Sequence, residues 1–406
     1  MYSQSFSPYN LYSCVTQSER RNHGLSKEDF IQKLELCVGN TIDEGRYDFK
    51  IKTSGDLYLN DQPKDSIEYL CQDLVLRKLY NNIKRIYRVE QSNRDQIVRQ
   101  IGSLLKEKTP KWIIRIDIRH FYETINRNQI IENFQAKGRL SRQSINLLIK
   151  LFSNPVISSN KGLPRGLSIS SVMSELYMKY FDLEIRRMNG VYYYARFVDD
   201  IIVFCSSKRY QEEVWEEIPK ILSGINLQLN SSKSHKWNAH IAVKPIDTSK
   251  LKHKELTYLG YKFIPQEDCN LEITIADKKI NTIKTRITKS FVRFAKDGDF
   301  SKLKNRIKFL TGNFTLYNPS TLLPIKVGIY FNYNMITDKT PLYNLDKYYQ
   351  RLLHCKRGRL GTRLAVKMSP DQRKDLSKYS FFFGFEKHVN HFFTSAMLAD
   401  INNCWR

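Results

Sequence analysis

The chain has 406 residues, of which 66 are Lys or Arg and 41 are Asp or Glu, giving a formal net charge of +25. With 41% hydrophobic residues it can bury a sizeable core, which excludes an intrinsically disordered chain. No stretch approaches the roughly 20 apolar residues of a membrane-spanning helix, so the charge excess points to a polyanion, with nucleic acid ahead of an anionic membrane surface.

Residues 1–60 read as a small N-terminal unit of strands and turns, because Tyr47–Lys52 and Leu57–Leu59 alternate in the strand manner. The opening Met1–Ser7 has neither a charged n-region nor an apolar h-region, so no signal peptide is expected. From Asp65 to Leu105 the pattern turns helical and basic, with Leu70, Leu74 and Leu79 set among Arg77, Lys78, Arg85, Arg94 and Arg99. Lys111–Asp117 reads as a strand, with Ile113, Arg115 and Asp117 on one face. After a mostly helical stretch come the loop Gly162–Gly166 and a helix carrying Ile169, Val172, Met173, Leu176, Tyr180 and Leu183. Tyr192–Cys205 reads as two apolar strands with Asp199 and Asp200 between them. A helix over Tyr210–Leu222, a strand at Leu227–Leu229 and another over Leu256–Phe263 come next. From Asp277 the chain is expected to be helical, basic and aromatic, with a break near Tyr317–Pro324.

The seven cysteines include no CxxC pair, and so odd and scattered a set is not a disulfide framework. A reducing cytoplasm is expected. His388 and His391 stand three apart with Cys404 further on, but without partner pairs they read as structural histidines rather than a metal site.

Asp117, Asp199 and Asp200 are the residues with chemical promise. Nucleotidyl transfer uses two divalent cations, and Mg²⁺ prefers carboxylate oxygens, so such a site gathers about three aspartates from distant positions. Adjacent acids at the tip of an apolar hairpin are costly unless something positive sits there. Taken alone, the pair also reads as a polar turn.

Their companions narrow the choice. Asp117–Tyr122 (DIRHFY), Gly162–Ser170 (GLPRGLSIS), Phe197–Asp200 (FVDD), Leu227–Lys233 (LQLNSSK) and Tyr258–Tyr261 (YLGY) occur in that order. Together they resemble the ordered sequence blocks of reverse transcriptases over roughly residues 75–265. The resemblance implies an α+β right-hand polymerase. Its fingers and palm would occupy 61–270 with an antiparallel sheet and catalytic hairpin, a thumb-like basic helical domain 271–406, and an extension 1–60.

The resemblance also assigns roles. Asp117, Asp199 and Asp200 would be catalytic and hold two Mg²⁺ ions, with Mn²⁺ as a substitute, and Lys233 would act near the pyrophosphate as a general acid. Tyr122, with Phe121 beside it, would close the floor of the nucleotide site against a ribose 2′-hydroxyl, favouring dNTPs. Arg94, then Arg85, Arg165 and Gly166 would meet the incoming nucleotide. Gly162, Ser170, Tyr258 and Gly260 would line the nucleic-acid path, and Arg286, Arg293, Arg357 and Arg359 would grip phosphates. The chain departs from the common pattern at Arg165, where Gln is usual, at Ser171, where Pro is usual, and in its fingers, where Arg85–Arg94 stands in place of the familiar motif.

Lacking any RNase H, integrase or endonuclease signature, the chain looks more like the stand-alone bacterial reverse transcriptases of anti-phage defence. Gln4–Ser7, Val75–Leu79 and Gln91–Asp95 resemble the smaller enzyme of the type 3 defence-associated system. That implies a non-coding RNA, a DNA product and a second reverse transcriptase as partner; an oligomer is left open, and no membrane partner is expected. Two alternatives stay open at this point: a template-independent or protein-primed DNA polymerase, and a non-catalytic RNA-binding scaffold.

Overall fold

The computed structural model describes residues 2–107, 109–159, 161–239, 255–266, 270–317 and 324–405. These group into two units, one built from 2–93 and 111–237, the other from 94–110 and the residues from 238 onward.

In the first unit the N-terminal residues are helical before they are extended. Helices Pro8–Tyr12, Gln17–His23 and Lys27–Val38 precede the hairpin of β1 (Ile51–Ser54) and β2 (Leu57–Asn60). The signals are local. Thr16 and Glu19 form a reciprocal capping box, Ser26 caps the third helix, and Phe30, Leu34 and Val38 bury one stripe of it. Their side chains enter the same hydrophobic core as those of Leu74, Val75 and Ile83, so residues 1–60 are no separate unit.

The basic helical stretch is two helices, Ile67–Ile86 and Arg94–Lys106, and they belong to different units. Two cations of the first helix are buried and used internally. Arg77 pairs with Glu19 at 3.0 Å, and Lys78 donates to the Ser3 carbonyl at 2.6 Å. Leaving such groups unpaired would cost several kcal/mol, on the order of 3–5, so they tie the N-terminal segment down.

A four-stranded sheet carries the unit, in the order β4 (Val191–Phe197), β5 (Asp200–Cys205), β3 (Lys111–Asp117) and β6 (His235–Ala239). β3 and β5 run antiparallel with Ile116 opposite Ile201 and Asp117 opposite Asp200. Ile113, Ile114 and Ile116 of β3 and Ile201, Ile202, Val203 and Phe204 of β5 are fully buried. Helices Ser168–Arg187 and Lys208–Gly224 flank the sheet, and Gln211 of the latter donates to the Ile113 and Trp237 carbonyls. Leu227–Leu229 is not a strand; it is a loop that makes a single bridge, Leu229 to Ile118.

In the second unit, Leu256–Phe263 is two strands rather than one. β7 (Leu256–Tyr258) turns at Leu259 and Gly260 into β8 (Tyr261–Pro265), and β9 (Leu271–Ile275) completes a three-stranded sheet. Helix Arg94–Lys106 packs on it, with Gly102 leaving room for Ile273. The helix Asp277–Asp297 comes next, burying Ile287, Phe291 and Phe294, and then Phe300–Thr311. The expected break in the helical run is a hairpin of β10 (Asn313–Tyr317) and β11 (Pro324–Gly328), while the residues between them lie outside the described ones. Helices Thr340–Leu353, Gly358–Lys367, Pro370–Leu376, Phe381–Glu386 and Ser395–Trp405 end the chain. Among the described residues, no helix is long and apolar enough to cross a membrane.

Candidate active site

The register of β3 and β5 places two of the three aspartates. Directly opposed residues of an antiparallel pair share a face with Cβ atoms about 5 Å apart, so Asp117 and Asp200 stand side by side. Asp199 occupies the two-residue turn that joins β4 to β5, between the paired Phe197 and Asp200. Burial pushes the Asp199 carboxyl above its ordinary range, the charges of Asp200 and Asp117 push it further, and Lys233 pulls it back. The three carboxylates are therefore close enough to repel one another.

Each of the other two is held. Asn230 donates to Asp117 Oδ2 at 2.7 Å, and Lys233 Nζ stands 3.3 Å from the same oxygen. Ser234 Oγ accepts from the Asp117 amide at 3.0 Å, so the loop 227–234 is clamped to the end of β3. Arg115, two residues along the same face, reaches Asp200 at 3.1 Å. The donor chemistry of three carboxylates fits a hard divalent cation such as Mg²⁺. In this conformation Asp117 and Asp200 are paired with cationic side chains, and among the described residues no group of three or more His, Cys, Asp or Glu is drawn tightly enough together to enclose an ion.

The turn itself is strained. Val198 has φ +60, a conformation that β-branched residues rarely adopt, at the turn position where a type II′ hairpin favours glycine. Arg196 holds it there. Its guanidinium, 5% exposed, donates to the Val198 carbonyl at 3.1 Å, to Glu175 at 2.7 and 3.1 Å and to Asp182 at 2.8 Å. Burial alone would lower the Arg196 pKa, but Asp182 and Glu175 outweigh it and the net shift is upward. Arg196, Glu175 and Asp182 escape a reading of the sequence, as do Asn230 and Arg115. The available signal is Glu175 and Asp182, two acids seven residues apart on one face of a largely buried helix.

Tyr122 and Phe121 part ways. Phe121 is 2% exposed and packs edge-on against Tyr122 at 5.3 Å, so it is a core aromatic and is corrected to that role. Tyr122 keeps a partly open ring, its phenol pushed up by burial and raised further by Asp199. Arg165 lies over that ring at 5.5 Å and grips Glu123 with two bonds, at 2.5 and 3.1 Å. The guanidinium expected to meet the nucleotide is thus bound beside the tyrosine.

The two glycines of the loop serve the chain's own backbone. A Cβ on Gly162 would collide with the Tyr122 carbonyl and Glu123, while Gly166, at φ +94, would set one 2.7 Å from the Tyr58 carbonyl. The Leu163 amide donates to Tyr122 and the Tyr58 amide to Arg165, both at 2.7 Å. Ser170 is buried, and its hydroxyl is spent on the Pro164 carbonyl at 2.6 Å, so its side chain does not face a strand.

Arg94 is also corrected. It belongs to the second unit, where its guanidinium donates twice to the Leu259 carbonyl, at 2.7 and 3.1 Å, and once to Asn332, at 3.0 Å, while lying over Tyr261. Its donors are committed to structure. Arg85 is exposed at the end of its helix, with its guanidinium over Tyr2 at 4.6 Å. Tyr258 is fully buried, which removes its ring from any surface, and Gly260 takes φ +84 in the turn. On the helix Asp277–Asp297, Arg286 lies over Trp405 at 4.9 Å and Arg293 pairs with Asp297 at 3.1 Å. Arg357 and Arg359 are exposed at the start of helix Gly358–Lys367. His391 is wedged against Gly312, with its Nε2 buried and without a hydrogen-bond partner among the described residues.

Comparison with known proteins agrees with this geometry. Residues 70–263 match the family model described as reverse transcriptase (RNA-dependent DNA polymerase). That stretch holds the four-stranded sheet and all three aspartates. This stretch, just under half of the chain, is similar to reverse transcriptases, and the fold is that of a right-hand polymerase. No curated protein sequence matches. Among solved structures, telomerase from Candida albicans in complex with a fragment of telomeric RNA is 12% identical, over 89% of this chain and 64% of that one, with a TM-score of 0.36. Apo telomerase from Candida tropicalis is 15% identical, over 82% of this chain and 52% of that one, with a TM-score of 0.36. The chain thus spans less than two thirds of the length of these structures.

Proposed function

We propose that the protein synthesises DNA on an RNA template, at a site made by Asp117, Asp199 and Asp200. The observation that carries this is the register: Asp117 faces Asp200 across two largely buried strands, with Asp199 in the adjoining turn and its carboxyl perturbed by both. Nothing in packing alone rewards three mutually repelling carboxylates at one sheet end. The aspartates would hold Mg²⁺, or Mn²⁺ in its place, which when bound supplies charge for the reacting phosphate and acidity for the attacking hydroxyl.

The chain's own residues set up the rest. Asn230 and Ser234 fix the end of β3, and Arg196 fixes the turn that aims Asp199. Lys233 Nζ, mostly exposed and already beside Asp117, is placed to give a proton to the departing pyrophosphate oxygen. The partly open ring of Tyr122 would exclude a ribose 2′-hydroxyl, with Arg165 and Glu123 fixing its edge. The exposed Arg357 and Arg359, and Arg286 and Arg293, would take phosphates of the nucleic acid.

The resemblance of Gln4–Ser7, Val75–Leu79 and Gln91–Asp95 supports a place among bacterial anti-phage reverse transcriptases, with a non-coding RNA as template, a second reverse transcriptase as partner and the cytoplasm as setting. The test is incorporation of each labelled dNTP and NTP by the purified protein with its co-purified RNA and Mg²⁺, beside Asp199→Ala and RNase-treated samples. Incorporation of dNTPs that both treatments abolish supports the proposal. Synthesis surviving full RNA removal would favour template-independent or protein-primed extension, and none under any condition would favour a scaffold. Tyr122→Ala should admit NTPs; unchanged discrimination would remove Tyr122 from the nucleotide floor.

A further inference from the structure

The first unit carries a second concave surface. A cavity of about 650 Å³ is lined by Ile86, Tyr87, Arg88, Lys137, Arg139 and Lys179. A neighbouring one of about 480 Å³ shares Tyr87, Lys137 and Lys179 and adds apolar walls, among them Phe134, Tyr180 and Leu183. Among the described residues no carboxylate lines either. Four cations around one groove without an acid repel each other, a cost that an anion crossing the groove would remove.

The aromatic side of the groove points to the kind of anion. Tyr180 is 56% exposed, a large ring left open at the rim. Tyr87 packs on Phe134 with ring centroids 5.0 Å apart, and its hydroxyl is buried without a hydrogen-bond partner. Burial pushes that phenol up and the charge of Arg139 pulls it back, so the cation and the hydroxyl act on one another. An unpaired buried hydroxyl carries a desolvation cost, which a ligand donor or acceptor would remove. Several cations beside an open ring are what a flexible single strand needs, with a base stacking and the backbone tracking the charge.

This groove is separate from the aspartates' side of the helix Ser168–Arg187. Leu176, Lys179, Tyr180 and Leu183 follow i, i+3, i+4, i+7 and form one stripe. At about 100° per residue, the buried Ser170 and Ser174 lie roughly 120–160° around the helix from it, and Ser174 is the partner of the Tyr122 phenol.

We propose that this groove binds a single-stranded polynucleotide outside the polymerase site, with phosphates on Arg88, Lys137, Arg139 and Lys179 and a base on Tyr180. RNA and DNA strands share that chemistry. The test is equilibrium binding of labelled oligouridylate and oligothymidylate, each about a dozen nucleotides long, to the full chain over a range of salt without Mg²⁺ or nucleotide, so that it does not depend on polymerisation. Replacing Lys137, Arg139 and Lys179 by Ala should lower the log–log salt slope by roughly 2, at about 0.7 per phosphate contact. Tyr180→Ala should weaken binding about tenfold with the slope kept, and Tyr180→Trp should retain it. All four positions are exposed, so the variants should fold. A control lacking the exposed Lys33, Arg142 and Lys150 removes the same charge elsewhere and should leave the slope nearly unchanged. The two oligonucleotides distinguish RNA from DNA as the strand. Equal slopes and affinities for the groove variants and the wild type, with both oligonucleotides, would overturn the proposal, as would an equal loss in the control.

Discussion

Two hairpins, one in each unit, solve the same problem with different means. β4–β5 turns through Val198 and Asp199, β7–β8 through Leu259 and Gly260, and in each the first turn residue is a bulky side chain at positive φ. In each, an arginine donates to the carbonyl of that strained residue: Arg196 to Val198, Arg94 to Leu259. The surroundings differ. Arg196 is almost wholly buried and locked by two acids, Glu175 and Asp182, with Tyr194 donating to Asp182 at 2.6 Å. Arg94 has a 26% exposed side chain, Asp95 at 3.6 Å and the face of Tyr261. Off-region backbone costs about 1–3 kcal/mol per residue and persists only where the surroundings over-determine it. The turn that carries an aspartate of the site is over-determined by buried charge; the other is held by hydrogen bonds near solvent.

The difference can be broken at its strongest point first. Arg196→Met keeps much of the side-chain volume but strands Glu175 and Asp182 as buried charges, and a loss of about 3–5 kcal/mol is expected in chemical denaturation. Adding Glu175→Gln and Asp182→Asn should recover a large part of that stability while DNA synthesis stays low, because the Val198 carbonyl remains unheld. If the triple variant regained full activity, Arg196 would be merely a charge partner and not a positioning residue for the turn. Arg94→Ala should cost less, about 2 kcal/mol, since the freed carbonyls of Leu259 and Asn332 lose charge-assisted bonds but can find water. A loss as large as that of Arg196→Met would erase the distinction between the two hairpins.

The same pair shows what the sequence discloses. Asp117, Asp199 and Asp200 are legible because strand alternation and the order of the blocks both lead to them. β3 is legible to the residue, since a largely apolar run, Trp112–Ile116, follows Pro110 and ends at Asp117. The β7–β8 turn is not, because Leu-Gly lacks the Asn-Gly or Asp-Gly signal of a type I′ hairpin and the strand pattern runs straight through it. The Arg196 network is hidden for another reason: it joins a strand to a helix, and pairing at such separations leaves no local period. Arg94 reads as a ligand contact because its charge is visible in the sequence and the carbonyls that consume it are not. Phe121 reads as part of the site with its neighbour because adjacency in sequence does not say which of two rings turns inward. The helices before residue 40 leave readable signals in Thr16–Glu19 and in the spacing of Phe30, Leu34 and Val38, which the strand-like Tyr47–Lys52 overshadows.

The smallest expected effect sharpens the comparison most. Val198→Gly removes the side chain that makes φ +60 costly, which returns about 1–3 kcal/mol. Against this stand the added backbone entropy of glycine in the unfolded chain, about 0.5–1 kcal/mol, and the packing of a half-buried valine against the core. The terms nearly cancel, so the free energy of unfolding should change by no more than about 1 kcal/mol. Activity should not follow stability. With Gly the turn can leave the one conformation in which Asp199 stands beside Asp117 and Asp200, so primer extension should slow severalfold in a protein that is as stable as before. Equal activity for Val198→Gly and wild type would mean that the buried network alone aims the carboxylate and that the strain at residue 198 has no part in it.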